Sequence, residues 1–106
     1  MIGTSFLIPI RDNEGRPFLP SQWRALHQRL LVEFGGYTRV SNVDGAWEYQ
    51  GRVYRDRNRQ YLVSLESWTQ LPAWLDLVRW ARQTFRQKAM YVEVAGIPEI
   101  LQDVSG

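Results

Sequence analysis

The order of sequence patterns predicts an α+β protein of the ferredoxin-like class, βαββαβ, with two helices on one face of an antiparallel sheet. Three observations support this prediction. Residues 4–10 alternate like a strand, residues 21–34 and 69–87 have helical periodicity, and strand patterns occupy the stretch between the helices and the stretch after them. This order is that of two split βαβ units. We expect one domain over residues 1–106, with an extra short hairpin.

The first predicted strand, residues 4–10, carries apolar side chains on both faces, which is typical of a central strand. The segment 11–20 has no periodicity and is rich in turn residues, so we predict a loop. Arg11, Asp12 and Asn13 follow the strand directly, at a place where functional side chains often lie. We nevertheless interpret this loop as a solvated connection.

The first predicted helix is capped by Ser21 and ends at Gly35-Gly36, because glycine accepts the left-handed conformation that follows a helix. Trp23, Leu26, Leu30 and Phe34 form its apolar stripe. His27 lies within the same arc. It is either a tuned acid or base, or a residue at the edge of the core that bonds a backbone carbonyl. We favour the second interpretation and expect an enclosed ring.

A strand-rich meander fills residues 36–66 and is covered by the helices on either side of it. Asp-Gly is a strong hairpin signal, because both central positions of a type I′ turn need positive φ. Gln-Gly is a weaker one. The predicted parts are, in chain order, a strand over 37–43, a turn at Asp44-Gly45, a short hairpin over 46–54 that closes at Gln50-Gly51, and a strand over 60–66.

The second predicted helix is capped by Thr69, accepts Pro72 in its first turn and ends near Gln87. Leu77 and Trp80 widen its apolar face beyond what one sheet can cover. A last strand over 89–95 is ended by Gly96-Ile97-Pro98. Ile100, Leu101 and Val104 then form a short apolar tail.

Composition excludes several kinds of site. The chain has no cysteine and one histidine, so a disulfide, a thiolate site and a multi-histidine metal site within one chain are excluded. We expect no metal and no cofactor. No apolar run spans a bilayer and no signal peptide precedes the first strand, so we expect a cytoplasmic protein. The net charge of +2 is too small to indicate a nucleic-acid partner by itself.

Three short motifs carry a resemblance that covers the middle third of the chain. They are Phe34-Gly-Gly-Tyr-Thr38, Gly45-Ala-Trp47 and Val53-Tyr-Arg-Asp56. In this pattern the chain resembles a family of small uncharacterised bacterial proteins. The resemblance implies no activity. It implies that one local structure is formed by Gly36, Gly45, Trp47, Tyr54 and Asp56.

The candidate binding residues are Trp47, Tyr54, Arg55 and Asp56, together with His27. Aromatic and arginine side chains in this combination suit a small aromatic or anionic ligand.

The first alternative is weak nucleic-acid binding through residues 52–59, where arginine and tyrosine interleave. The RNA-recognition motif shares the element order, but this chain lacks its signature on the third strand, so nucleic acid is an unfavoured partner. The second alternative is a small enzyme of the dimeric α+β barrel type with an aromatic pocket, which rests on fold analogy. Acylphosphatases share the fold, but the glycine-rich loop they need around an arginine such as Arg11 is missing.

Self-association completes the prediction. An open sheet face with Leu7 and Tyr91, and a helix face with Leu77 and Trp80, would be covered by a second copy in a homodimer. We rank sheet packing first and helix packing through Trp80 second. The sequence therefore predicts a non-catalytic binding or assembly module that forms a homo-oligomer, with no nameable catalytic residues and no membrane partner.

Overall fold

A five-stranded antiparallel sheet with two helices on one face forms the protein. The computed structural model describes residues 1–102. Its elements are β1 Ile2–Pro9, α1 Pro20–Phe34, β2 Thr38–Tyr49, β3 Arg52–Leu65, a 3-10 turn Trp68–Gln70, α2 Leu71–Thr84, β4 Ala89–Val94 and β5 Ile97–Gln102. The strand order is β2-β3-β1-β4-β5. The ferredoxin-like βαββαβ arrangement predicted from the sequence is confirmed, with β5 added at one edge.

The core lies between the sheet and the helices. Strand side chains alternate between faces, so Phe6 and Ile8 of β1 are buried under the helices while Leu7 lies on the opposite, open face. Leu26 and Leu30 of α1 fill the other side of the core, as their helical spacing predicts. The second helix contributes Trp74, which meets the Phe6 ring edge-on at a centroid distance of 6.4 Å.

Trp74 provides a stability test. It is fully buried, and its indole Nε1 has no hydrogen-bond partner among residues 1–102. We expect Trp74→Ala to lower the free energy of unfolding by about 3–5 kcal/mol, because it leaves a large cavity. Trp74→Phe should cost less than about 2 kcal/mol, since it keeps most of the ring and removes an unpaired donor. Urea unfolding measures both, and equal losses would contradict this account.

Both helices begin at different residues from those predicted. Helix α1 starts at Pro20, where the fixed φ of proline suits the first helical position, and the Gln22 side chain accepts a 2.7 Å hydrogen bond from Leu19 N–H. Ser21 therefore lies inside the helix. Before α2, Ser67 caps the 3-10 turn by accepting a bond from Thr69 N–H, so the capping role predicted for Thr69 is wrong.

The helix ends follow backbone conformation. Gly35 has φ of 79° and closes α1, as predicted. Helix α2 ends at Thr84 instead of Gln87, because Arg86 already has a left-handed φ of 50°. The predicted end is therefore wrong by one turn.

One long hairpin replaces the predicted meander. Asp44-Gly45 is not a turn: it lies within β2, where Gly45 pairs with Asp56. The turn is Gln50-Gly51, whose φ values of 53° and 76° suit a two-residue hairpin. A register shift between Val40 and Val43 bends β2 instead. Strand β3 consequently begins at Arg52, eight residues before the predicted start at Gln60.

The far half of this hairpin projects from the sheet. Strand β1 pairs with β3 only as far as Pro9↔Asn58, and Ile10 N–H adds one bond to the Arg57 carbonyl at 3.0 Å. The strand pairs of residues 44–57 are otherwise made with one another. We call residues 44–57 the arm. Every residue of the arm is exposed. Among residues 1–102, no helix and no further strand therefore lies beside the arm.

A second hairpin closes the C-terminal edge of the sheet. Ala95 and Gly96 have φ of 53° and 80° and form its turn, and β5 pairs with β4 from Val94↔Ile97 onward. The predicted strand over 89–95 does end at this turn, but Ile97 and Pro98 begin β5, because Pro98 is tolerated on an edge strand. Ile100 and Leu101 belong to β5, whereas Val104 lies outside the described residues. In residues 1–102, no helix is both long and apolar enough to cross a bilayer.

Candidate functional site

The predicted site residues fall into two separate groups. Trp47, Tyr54, Arg55 and Asp56 lie on the arm, whereas His27 lies on α1 and contacts Tyr61 of β3. Tyr54 and Tyr61 are seven positions apart on one strand, on the order of 20 Å. The structure therefore does not bring His27 to the other four residues.

An open aromatic cluster forms on the arm. The rings of Trp47 and Tyr54, which face each other across the two strands, stack at 4.8 Å with an interplanar angle of 21°. The Trp47 indole N–H donates to Asp56 at 3.1 Å, and the Arg52 guanidinium lies 5.8 Å from the centre of the Tyr54 ring. Trp47 remains 52% exposed. These contacts hold the aromatic cluster together, but the cluster is not part of the hydrophobic core and does not form a closed pocket.

Arg55 lies on the other face of the arm. Adjacent strand residues point to opposite faces, so Arg55 is on the face of Ala46 and Arg57, away from the Trp47–Tyr54 stack. On this face Arg57 donates to the Asp44 carboxylate at 3.0 Å, which supports the observed pairing register. Arg55 therefore does not stack with Trp47 and Tyr54, although it lines a shallow pocket of about 470 Å³ together with Asp56.

His27 makes contacts that differ from the expected ones. Its Nε2 lies 2.8 Å from the Tyr61 hydroxyl, and its ring stacks on Tyr37 at 5.1 Å. The predicted backbone-carbonyl partner is wrong, and so is the enclosed position, because the half-buried ring lines a pocket. Tyr61 is long enough to reach His27 from the sheet, which local sequence could not indicate.

Burial shifts the pKa values of both His27 and Tyr61. Burial lowers the pKa of His27 below its usual 6.5, and the charges of Arg39 and Arg59 lower it further. Burial also raises the pKa of Tyr61, although Arg59 and Arg39 oppose that rise. At neutral pH both side chains are therefore uncharged.

A basic pocket of about 460 Å³ lies beside His27, between the loop before α1, α1 itself and strands β2 and β3. Its charged side chains are Arg24, Arg39 and Arg59. The Arg59 guanidinium lies 4.0 Å from the centre of the Trp23 ring, in a cation–π contact. The remaining lining residues are Ile10, Pro17, Phe18, Pro20, Trp23 and His27.

The loop after β1 has a structural role. Its Asp12 carboxylate accepts hydrogen bonds from the backbone N–H groups of Glu14 and Arg16, at 2.9 and 2.8 Å. Arg11 donates to the Gly15 carbonyl at 3.3 Å. Arg11 and Asp12 thus shape a tight turn, in keeping with the interpretation of this loop as a connection.

Of the three predicted interface residues, one is buried by its own chain and a second is partly covered by it. Leu77 is fully buried in the core, so its assignment to an exposed helix face is wrong. Trp80 packs partly against the core, and the Arg29 guanidinium lies 4.7 Å from its ring centre. Tyr91, which is 38% exposed, lies on the open sheet face as predicted. Packing through α2 therefore has little free apolar surface.

Proteins of two different kinds have a fold similar to this one. A phage SAM lyase in complex with S-methyl-5′-thioadenosine is similar with a TM-score of 0.71 at 14% identity, over 96% of this chain and 89% of that one. A divalent cation tolerance protein, CutA, from Thermus thermophilus gives 0.55 at 17% identity, over 100% and 87%. CutA from Xylella fastidiosa gives 0.59 at 13% identity, over 99% and 85%.

These similarities show the fold alone. No family model and no curated protein matches the sequence. Within residues 1–102, no group of three or more histidine, cysteine, aspartate or glutamate side chains could hold a metal ion.

Proposed function

We propose that this protein is a homo-oligomeric assembly module whose arm and open sheet face pack against another copy. The observation that carries the proposal is the arm itself, fourteen residues with an exposed aromatic stack that no element within residues 1–102 covers. A two-stranded hairpin alone is marginally stable in water. A partner that covers the stack would supply the missing packing.

The open sheet face continues the aromatic surface of the arm. Pairing places Trp47 and Tyr54 on the same face as Leu62, because even-numbered residues of β3 point away from the helices. Leu62, Tyr91 and Ile100 are 41%, 38% and 55% exposed on that face. The apolar surface therefore runs from the arm across the sheet, a pattern typical of an interaction site.

The net charge of the arm favours a second copy of this chain, and not a nucleic acid, as the binding partner. The arm carries three arginines, Arg52, Arg55 and Arg57, and three carboxylates, Asp44, Glu48 and Asp56, so its net charge is zero. Phosphate binding needs a positive excess, whereas a symmetric protein interface needs both signs on one surface. The neutral arm fits the second requirement.

Two aromatic rings should dominate the association energy. Trp and Tyr are the residues most enriched among those that carry binding energy at interfaces, and each buried ring contributes roughly 2–3 kcal/mol. We therefore expect the double change Trp47→Ser with Tyr54→Ser to weaken association at least about 100-fold, measured by light scattering after gel filtration.

The matched control is Trp68→Ser. Trp68 is 58% exposed, close to the 52% of Trp47, but it lies on the 3-10 turn before α2. This control should leave the mass unchanged. If the Trp68 variant dissociates as readily as the arm variant, or if neither dissociates, the arm is not the interface.

A further inference from the structure

Three guanidinium groups in one pocket lack carboxylate partners. Arg24, Arg39 and Arg59 line the basic pocket, and none forms an ion pair with any carboxylate in residues 1–102. No aspartate or glutamate of the described residues belongs to the lining. Like charges that gather without a counter-charge repel one another, so an anion would relieve them.

Several arginines elsewhere in residues 1–102 do form ion pairs. Arg29 bonds Glu33 at 2.6 Å, Arg57 bonds Asp44, and Arg79 bonds Asp76. The pocket differs from those sites because three guanidinium groups without an ion pair line a single cavity.

One of the pocket arginines is held in place before any ligand arrives. Arg59 is half-buried, and its guanidinium lies over the Trp23 ring and beside Tyr61. Preorganisation lowers the entropy lost on binding. Arg24 and Arg39 are exposed at the pocket edge, where they are free to close on a ligand.

We propose that this pocket binds a small doubly charged oxyanion of the phosphate class, held by Arg24, Arg39 and Arg59. The planar donor fork of arginine matches the oxygens of such a group bidentately. The pocket volume of about 460 Å³ exceeds that of a bare phosphate, which leaves room for a small organic body against Phe18 and Ile10. This inference does not depend on the proposed assembly, because every named residue belongs to one chain.

His27 supplies a further donor. Its ring lines the pocket with the three arginines, and its Nε2 lies 2.8 Å from the Tyr61 hydroxyl. A protonated imidazole carries a hydrogen on each nitrogen, so it can donate from Nδ1 to an oxyanion while Nε2 stays bonded to Tyr61.

The test is an NMR titration of the intact ¹⁵N-labelled protein with inorganic phosphate at constant ionic strength. We expect saturable shifts at the Trp23 indole and the His27 ring. Arg39→Ala and Arg24→Ala should each weaken binding about tenfold, the loss typical of one charge-assisted hydrogen bond. Both residues are exposed, so the variants should keep the native spectrum.

The matched control is Arg55→Ala, because Arg55 is an exposed arginine on the same strand and face as Arg59 but lies outside the pocket. It should bind phosphate within twofold of the unaltered protein. A parallel titration with phenyl phosphate distinguishes a free anion from a monoester: tighter binding of phenyl phosphate assigns the monoester, and equal binding assigns the free anion. The proposal is overturned if no titration saturates, if acetate binds as tightly, or if Arg55→Ala weakens binding as much as Arg39→Ala.

Discussion

A chain that lacks residues 46–49 and 52–55 is expected to be a folded monomer. The deletion removes four cross-strand pairs from the arm and joins Gly45 to Gln50-Gly51 and then to Asp56. Antiparallel pairs alternate between two hydrogen-bonding types, so removing four pairs leaves the same type beside the turn. Gly45↔Asp56 then takes the place of Tyr49↔Arg52, and the two-residue turn is kept.

The fold should survive because the arm adds nothing to the core. All deleted residues are exposed, and the buried cluster is built from β1, the helices, β4 and the part of β3 from Tyr61 onward. We expect the melting temperature of the monomer to change by only a few degrees relative to the dissociated intact chain. Circular dichroism measures the fold, and sedimentation measures the mass.

Two outcomes would contradict this expectation. A shortened chain that keeps the mass of the intact protein would show that the arm is not needed for association. A shortened chain that fails to fold would show that the arm belongs to the cooperative unit. The shortened chain should also bind phosphate unchanged, since Arg24, Arg39 and Arg59 all remain in it.

The second large effect is pH-dependent anion binding. Sulfate stays doubly charged across this range, so it reports the protein alone. We expect its affinity to rise about tenfold from about pH 7.5 to about pH 5.5, because an anion beside His27 favours the protonated ring. Isothermal titration calorimetry measures the change, and His27→Gln should remove it.

The groups around His27 make the assignment specific. Tyr37 stacks on its ring, Tyr61 bonds it, and Arg39 and Arg59 supply the nearest charges. Histidine is the residue type whose ordinary pKa lies in the range from about pH 5.5 to about pH 7.5, so His27 accounts for the proton uptake. An unchanged pH dependence in the His27→Gln variant would contradict this assignment.

The same pKa shift predicts how the ligand-free protein responds to acid. The folded-state pKa of His27 lies below its ordinary 6.5, so the unfolded chain binds the proton more readily. The stability that follows from this difference is present above pH 6.5 and is lost as the pH falls through the folded-state value. Sulfate should oppose that loss, because it binds the protonated native state.

Local sequence patterns predicted the order of the helices and strands correctly. They failed to predict turns whose position depends on pairing with a distant strand. The apolar spacing of α1 and the glycine at its end are local features, and both predictions agree with the structure. Asp44-Gly45 has the dipeptide preference of a hairpin turn, but its pairing with Asp56 and Arg57 across the sheet outweighs that preference. The sequence of one strand does not determine the register in which it pairs with another strand.

The sequence indicated more of the aromatic cluster on the arm than of the basic pocket. Trp47, Tyr54 and Asp56 are near one another in the chain and contact one another on the arm. Gly36, which the resemblance grouped with them, precedes β2 and lies outside the arm. The basic pocket joins segments up to about fifty residues apart, so only a fold places Arg24 and Arg39 beside Arg59. The sequence identified His27 as a candidate binding residue, but it did not identify the arginines that lie beside it.

The most direct test of the proposed assembly is the mass of the intact protein in solution. Sedimentation equilibrium between about 1 and 100 μM covers the range in which a specific interface of ordinary strength is populated. The account predicts a mass at least twice the 12.5 kDa of one chain over most of that range. A mass of 12.5 kDa throughout, at about 100 μM as at about 1 μM, would contradict it.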